Sequence, residues 1–228
     1  TDDAAKAYWL FAALMIPVAI WLTRVPSPES PTETAAPAAG SAVVRRYSFF
    51  LGLMGLLFFM HVGAELAFGG WIFSYADELN VGGQTTARVL NSVFWGGLVV
   101  GRLIAIPLSL RASARVMMQV DLVAAAASLA LIGFLPDWPP ALWIGTIGFG
   151  MAIASMFATC INYAEERMPI TSQVMTVFLV GASLGSMTLP WVAGQLFDRQ
   201  GPETMIWLVG GAILAGLALF AWIQSHAG

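Results

Sequence analysis

Glu65 is the residue with the most to explain. It stands 19 residues past Arg46 and 12 before Asp77, inside an otherwise apolar run. A carboxylate at that depth of a membrane costs about 2.5–3.5 kcal/mol even on lenient scales, so it needs a proton, a cation or a polar partner. Two readings follow: an acceptor for a solute or a coupling ion, or a structural carboxylate tying two helices together. His61 lies four residues earlier, on the same helical face. It is either a second cavity group or a histidine satisfied by a neighbouring helix. The next apolar run places Asn91, Trp95, Leu98 and Arg102 on one stripe. An amide, an indole and a guanidinium sharing a stripe suit a face that lines a cavity, with Asn91 and Trp95 matched to hydroxyls and ring faces.

Other residues have more than one reading. Gly69-Gly70 follows Glu65; the pair either weakens the helix so that its outer end bends as a gate, or permits close packing. Trp71 and Tyr75 can stack on a flat ring or anchor a membrane interface. Arg102 and Asp121 enter their helices to comparable depth and are expected to pair, as a structural or gating contact; an anionic solute on Arg102 is the alternative. Ser155, Thr159 and Asn162 share a face, as a cavity floor or as interhelical hydrogen bonds. Gly97 and Gly101, and Gly181 and Gly185 with Pro190 beyond, read as close-packing contacts. Glu165-Glu166-Arg167 reads as a solvated turn.

The elements that carry these residues are helices in a membrane. The 228-residue chain is 58% hydrophobic and 10% charged, against about 25% charged in soluble domains. Its apolar runs are too long for barrel strands and lack a period of two. Helices are expected at 7–24, 47–76, 87–110, 116–135, 141–164, 172–197 and 204–224. Residues 25–45 are rich in Pro, Ser, Thr, Glu and Ala around 26–40 and read as a flexible linker. The chain divides into a first helix (1–24), the linker (25–45) and six closely joined helices (46–228). It starts at Thr1 without a signal peptide, as a chain beginning inside a longer protein would.

Charge orients the helices. With a cytoplasmic linker, Arg24, Arg45, Arg46, Arg111, Arg115 and Arg167 fall at cytoplasmic ends and Arg102 just inside, against Lys6, Arg88 and Arg199 on the far side. The C-terminus is then cytoplasmic. Cys160 stands alone, so there is no internal disulfide or cysteine-rich metal site. A net charge of −3 without a basic tail gives no footprint for nucleic acid. No phosphate-binding Gly-Lys-Ser/Thr loop, His-Glu-x-x-His helix or nucleophile set is visible, so neither an enzyme nor an ATP-driven pump is expected. The turns Pro107–Arg115 and Gly194–Gly201 are related patterns after the second helix of each set of three, on opposite faces, as an inverted repeat requires.

Gly194-x-Leu-x-Asp198-Arg199-x-Gly201 resembles the loop motif of the major facilitator superfamily. Gly63-Ala-Glu65-Leu-Ala-Phe-Gly69-Gly70-Trp71-Ile-Phe-Ser-Tyr75 and Phe94-Trp95-Gly96-Gly97-Leu-Val-Val-Gly101-Arg102 are similar to helices seven and eight of its sodium-dependent glucose transporter-like and fucose permease branch. Asn162-Tyr-Ala-Glu165 and Val180–Trp191 resemble helices ten and eleven. The turn bearing Arg111 and Arg115 departs from the family pattern: Leu110 stands where an Asp is usual and Ser113 where a Gly is.

The resemblance implies an all-α six-helix bundle with a 3+3 inverted repeat, preceded by one further transmembrane helix and a cytoplasmic linker. It implies the C-terminal half of an alternating-access transporter in the cell (inner or plasma) membrane, completed by an N-terminal half. Sugar or a similar neutral solute would move with Na⁺ or H⁺, without a bound cofactor, past Glu65, Asn91, Trp95, Trp71, Asn162 and His61. Arg102, Asp121, Arg111 and Arg115 would serve gating or structure. The rivals are an exporter of drugs or organic anions, and a membrane scaffold that transports nothing. The half alone is expected to be inactive, one wall of its site being absent.

Overall fold

The computed structural model describes residues 2–25 and 37–226, all helical or in turns between helices. Two compact units are present, Thr1–Ala38 and Ala39–Gly228. In the first, α1 (Asp2–Arg24) is a 23-residue helix with Pro17 inside it. Residues 26–36, most of the expected linker's Pro-rich part, lie outside the described residues. The rest of that stretch departs from expectation: Pro37–Arg46 forms a helix, α2, which meets the next at Tyr47.

The second unit holds most of α2 together with α3 (Ser48–Glu78), α4 (Gly83–Ser109), α5 (Ala114–Phe134), α6 (Pro139–Ile153), α7 (Met156–Glu165), α8 (Ser172–Gln200) and α9 (Glu203–His226). Six of its spans are long and apolar enough to cross a membrane, α6 and α7 counting together as one. The chain signals explain most boundaries. Ser113 and Thr171 cap α5 and α8, each side-chain oxygen accepting from the amide three residues on. Pro139 and Pro140 open α6, where a missing N–H costs nothing. Gly82 adopts φ +74° ahead of α4, and Gly201 adopts φ +97° behind α8.

Two departures concern helix continuity. Gly69-Gly70 does not break α3, which runs through to Glu78. The span expected as one helix over 141–164 is instead broken at Ala154-Ser155.

Packing reveals the repeat. α3 lies chiefly against α8 and α9, and α6 chiefly against α4 and α5. The second helix of each triplet therefore presses on the first helix of the other, and it does so through paired glycines. A Cβ on Gly181 or Gly185 would overlap the carbonyls of Gly55 and Phe59 on α3. A Cβ on Gly97 or Gly101 would lie 3.1 Å from the Ile147 carbonyl and 2.5 Å from that of Met151 on α6. Small residues let backbones approach where lipid supplies no hydrophobic drive between helices. The remaining core is aromatic: Phe58 meets Phe157 and Phe178, while Phe68, Phe94 and Phe149 form a second cluster.

Candidate functional site

The face between α3 and α4 is shaped by Gly69. A Cβ there would lie 2.7 Å from a Phe94 ring carbon and 2.8 Å from one of Trp95, so both rings cross the bare backbone of α3. Phe94 is buried in the aromatic core, and Trp95 stands edge-on to it, with centroids 5.0 Å apart. That leaves Trp95 supported behind and 39% exposed in front. Asn91, one turn outward, donates from Nδ2 to the Gly69 carbonyl at 2.7 Å. Its side chain is thereby fixed, with Oδ1 left to accept. The close-packing reading of Gly69 is the one the geometry supports.

Glu65 is one turn below Gly69 on α3 and half-buried. It makes no hydrogen bond or ion pair with any described residue. The Arg102 guanidinium is near enough for its charge to act on both Glu65 and His61. His61 itself is closed off, only 1% exposed, and neither ring nitrogen has a described partner. The structure thus brings Glu65, Asn91 and Trp95 to one face and places His61 behind it.

Trp71 turns the other way. Its indole N–H donates to the Pro190 carbonyl of α8 at 3.0 Å, and its ring lies against Phe197. Gly194 leaves room for it; a Cβ there would be 2.6 Å from the indole. Trp71→Phe keeps an aromatic ring but removes the donor and part of the packed indole, so a loss of at least about 1 kcal/mol in bundle stability is expected from chemical unfolding in micelles. Tyr75 is also a core residue, 2% exposed, rather than an interface anchor.

A cavity of about 560 Å³ lies at the end of the bundle that carries Arg111, Arg115 and Arg167. Arg102, Ser155, Thr159, Asn162 and Glu166 line it. Asn162 therefore sits with Arg102, apart from Asn91 and Trp95. The expected Arg102–Asp121 ion pair is not formed. Asp121 instead accepts from the Ser155 hydroxyl at 2.5 Å, across the break between α6 and α7. Ser155, Thr159 and Asn162 nonetheless line this cavity together, as the face they were expected to share requires.

Arg111 is in the exposed turn, and Arg115 donates to Gln224 Oε1 of α9 at 3.0 Å, an oxygen that Gln119 also reaches. Ser113, in the family's glycine position, works as the α5 cap. Arg167 is more than solvated: it lies over the Tyr163 ring at 3.6 Å and donates to the Tyr163 carbonyl and to Glu166. The helix break at Ala154-Ser155 is the feature that sequence reasoning missed. Neither residue is a Gly or Pro, and the nearest signal was the glycine density at Gly145, Gly148 and Gly150.

With this geometry in view, comparison with known proteins places the chain. The sequence profile of the Major Facilitator Superfamily matches residues 6–190, and the chain belongs to that family. Human major facilitator superfamily domain-containing protein 4A is 32% identical over 181 residues, which are 78% of this chain and 35% of that protein. Sodium-dependent glucose transporter 1A of Mus musculus is 29% identical over 184 residues, 80% of this chain and 43% of the relative. Human sodium-dependent glucose transporter 1 is 29% identical over 173 residues, 75% of this chain and 33% of the relative. The chain thus matches between about a third and two fifths of the length of these relatives.

Proposed function

We propose that the chain is the C-terminal half of a secondary active transporter that moves a sugar or similar neutral solute together with Na⁺ or H⁺. The observation that carries this reading is the group of Trp95, Asn91 and Glu65. It offers an indole face braced from behind, an amide held in place with its oxygen free, and an unpartnered carboxylate. A few placed polar groups beside an aromatic wall are what a small polar solute requires. Glu65 accepts from the solute's hydroxyls, Trp95 stacks on its ring, and Arg102 biases the local field from below. Residues 1–24 are the last helix of an N-terminal bundle, residues 25–45 the cytoplasmic connection, and the C-terminus is cytoplasmic in the inner or plasma membrane. The two bundles rock about the site between them. Names of the relatives add support for both sugar and sodium.

The test is uptake of radiolabelled hexoses into proteoliposomes of the protein carrying both bundles, under a Na⁺ gradient, a proton gradient or neither. Gradient-dependent uptake is expected, and Trp95→Ala should raise KM about tenfold, the worth of one aromatic stacking contact. Absence of hexose uptake under every gradient would reject the substrate. One observation favours an alternative: Arg102 makes no hydrogen bond or ion pair with a described residue and lines a cavity beside Ser155, Thr159 and Asn162. Organic anions, driven outward by protons, belong in the same assay, and their transport without hexose transport would select that reading.

A further inference from the structure

A groove of about 530 Å³ runs down the side of α4 that faces away from Asn91 and Trp95. Val89, Val93, Gly96 and Val100 of α4 line it, with Ile147 and Met151 of α6 as the other wall. At 3.6 residues per turn these α4 positions lie about 150° round the helix from the stripe of Asn91, Trp95 and Arg102. Two neighbouring glycines shape the groove. A Cβ on Gly97 would stand 3.1 Å from the Ile147 carbonyl, whereas a Cβ on Gly96 would meet nothing within 4 Å. The helices thus touch at one glycine and part at the other. The walls are aliphatic, and the one hydroxyl among them, on Ser92, is turned back to donate to the Arg88 carbonyl at 3.1 Å. Arg88 stands at the end of the groove nearest the start of α4. It is exposed, and its guanidinium makes no hydrogen bond or ion pair with any described residue. The first turn of α4 carries no acidic side chain to occupy it. Side chains on a helix lean toward its N-terminus, which for α4 is the membrane surface remote from Arg111 and Arg115.

We infer that this groove seats one anionic membrane phospholipid, with its phosphate on Arg88 and an acyl chain along the valines. From Arg88 to Val100 the groove follows about 18 Å of helix at 1.5 Å per residue, close to the roughly 15 Å of hydrocarbon in one leaflet. Its length therefore suits a chain from a single leaflet. A free guanidinium above an aliphatic slot is complementary in charge to phosphate, which it binds through paired N–H donors. Basic positions between transmembrane helices select anionic headgroups in this way. The transport reading turns Asn91 and Trp95 toward the other bundle, which leaves the groove on the opposite side toward lipid. The seat itself is independent of which solute or ion is carried. It adjoins the Gly97 contact, where a helix of one triplet meets a helix of the other, so a bound lipid bears on how firmly the triplets are held.

The test is native mass spectrometry of the purified protein carrying both bundles, titrated in detergent with dioleoylphosphatidylglycerol or dioleoylphosphatidylcholine. The chains are identical, so only the headgroup charge differs. Saturable retention of one phosphatidylglycerol is expected, about fivefold tighter than phosphatidylcholine, the worth of one basic side chain at the surface. Arg88→Gln should erase that preference. Gly96→Leu has room to fold, because a Cβ there meets nothing, and its side chain fills the slot. Displacing two methylenes of the lipid should weaken retention of phosphatidylglycerol about tenfold. Equal retention of the two lipids by the unaltered protein overturns the inference, as does a preference that survives Arg88→Gln. Unchanged retention in Gly96→Leu also overturns it; if that variant melts lower without lipid, the other bundle is the occupant. Inorganic phosphate that displaces the lipid at equal concentration would show a headgroup site without the groove, and overturns it too.

Discussion

Glu65→Gln is expected to cut the efficiency of solute uptake about 10- to 100-fold. The substitution is isosteric and removes only the charge. A hydrogen bond to a charged group contributes about 1.5–3 kcal/mol net, and each 1.4 kcal/mol is a factor of ten. Nothing in the described structure competes for that carboxylate, since Glu65 has no protein hydrogen bond to fall back on. If Glu65 were a structural tie between helices, its replacement would lower the melting temperature and leave uptake by the surviving protein intact. If it held the coupling ion, the half-saturating Na⁺ would move while the solute KM did not. Initial-rate uptake against solute at saturating Na⁺, and against Na⁺ at saturating solute, separates these cases. A rise in solute KM alone is the expected pattern, and wild-type kinetics in Glu65→Gln would remove the residue from the site.

Gly185→Val should prevent the bundle from folding stably. The first added carbon already overlaps the Phe59 carbonyl, and the Phe59 carbonyl carbon and Cα stand 2.7 and 2.8 Å away. Those atoms belong to a helix backbone and cannot turn aside as a side chain would. α3 and α8, the most extensively packed pair, would have to separate. Overpacking a core ordinarily costs about 1–3 kcal/mol, and a backbone clash belongs at or beyond the top of that range. Against a total of about 5–15 kcal/mol this is a large fraction. Gly211→Val is the control, because a Cβ there meets nothing within 4 Å. Thermal unfolding of the detergent-purified chain should show a large loss for Gly185→Val and little for Gly211→Val. Equal stabilities would mean that the glycine contact does not hold the bundle together.

The fold was legible because its signals are long and redundant. Six of the apolar runs reach the length a membrane requires, and the turns carry Gly, Pro, Ser or Thr where helices start and stop. Gly181 and Gly185 announced a close contact, though only the packing shows that Gly97 and Gly101 are their counterparts in the other triplet. The site was legible in part. Spacing alone put Asn91 and Trp95 on one stripe, and hydrocarbon depth alone singled out Glu65. What spacing cannot supply is a partner on another helix. Arg102 and Asp121 match in depth and charge, yet the helix break brings Ser155 to Asp121 instead. Trp71 follows the same logic: its direction depends on the absence of a side chain at Gly194, more than a hundred residues away.

The interrupted helix also bears on how the protein enters its membrane. At 1.5 Å per residue, the 15 residues of α6 reach about 22 Å and the 10 of α7 about 15 Å. Neither crosses a hydrocarbon core of about 30 Å alone. Together they cross it only with the break at Ala154-Ser155 inside the bilayer, where any backbone group left unsatisfied is penalised heavily. The segment therefore has reason to wait beside helices already in place. α4 and α5, against which it packs, are the two that leave the ribosome just before it. Chain order supplies the chaperone: the hydroxyl-bearing joint at Ser155 meets Asp121 on a helix made shortly before it.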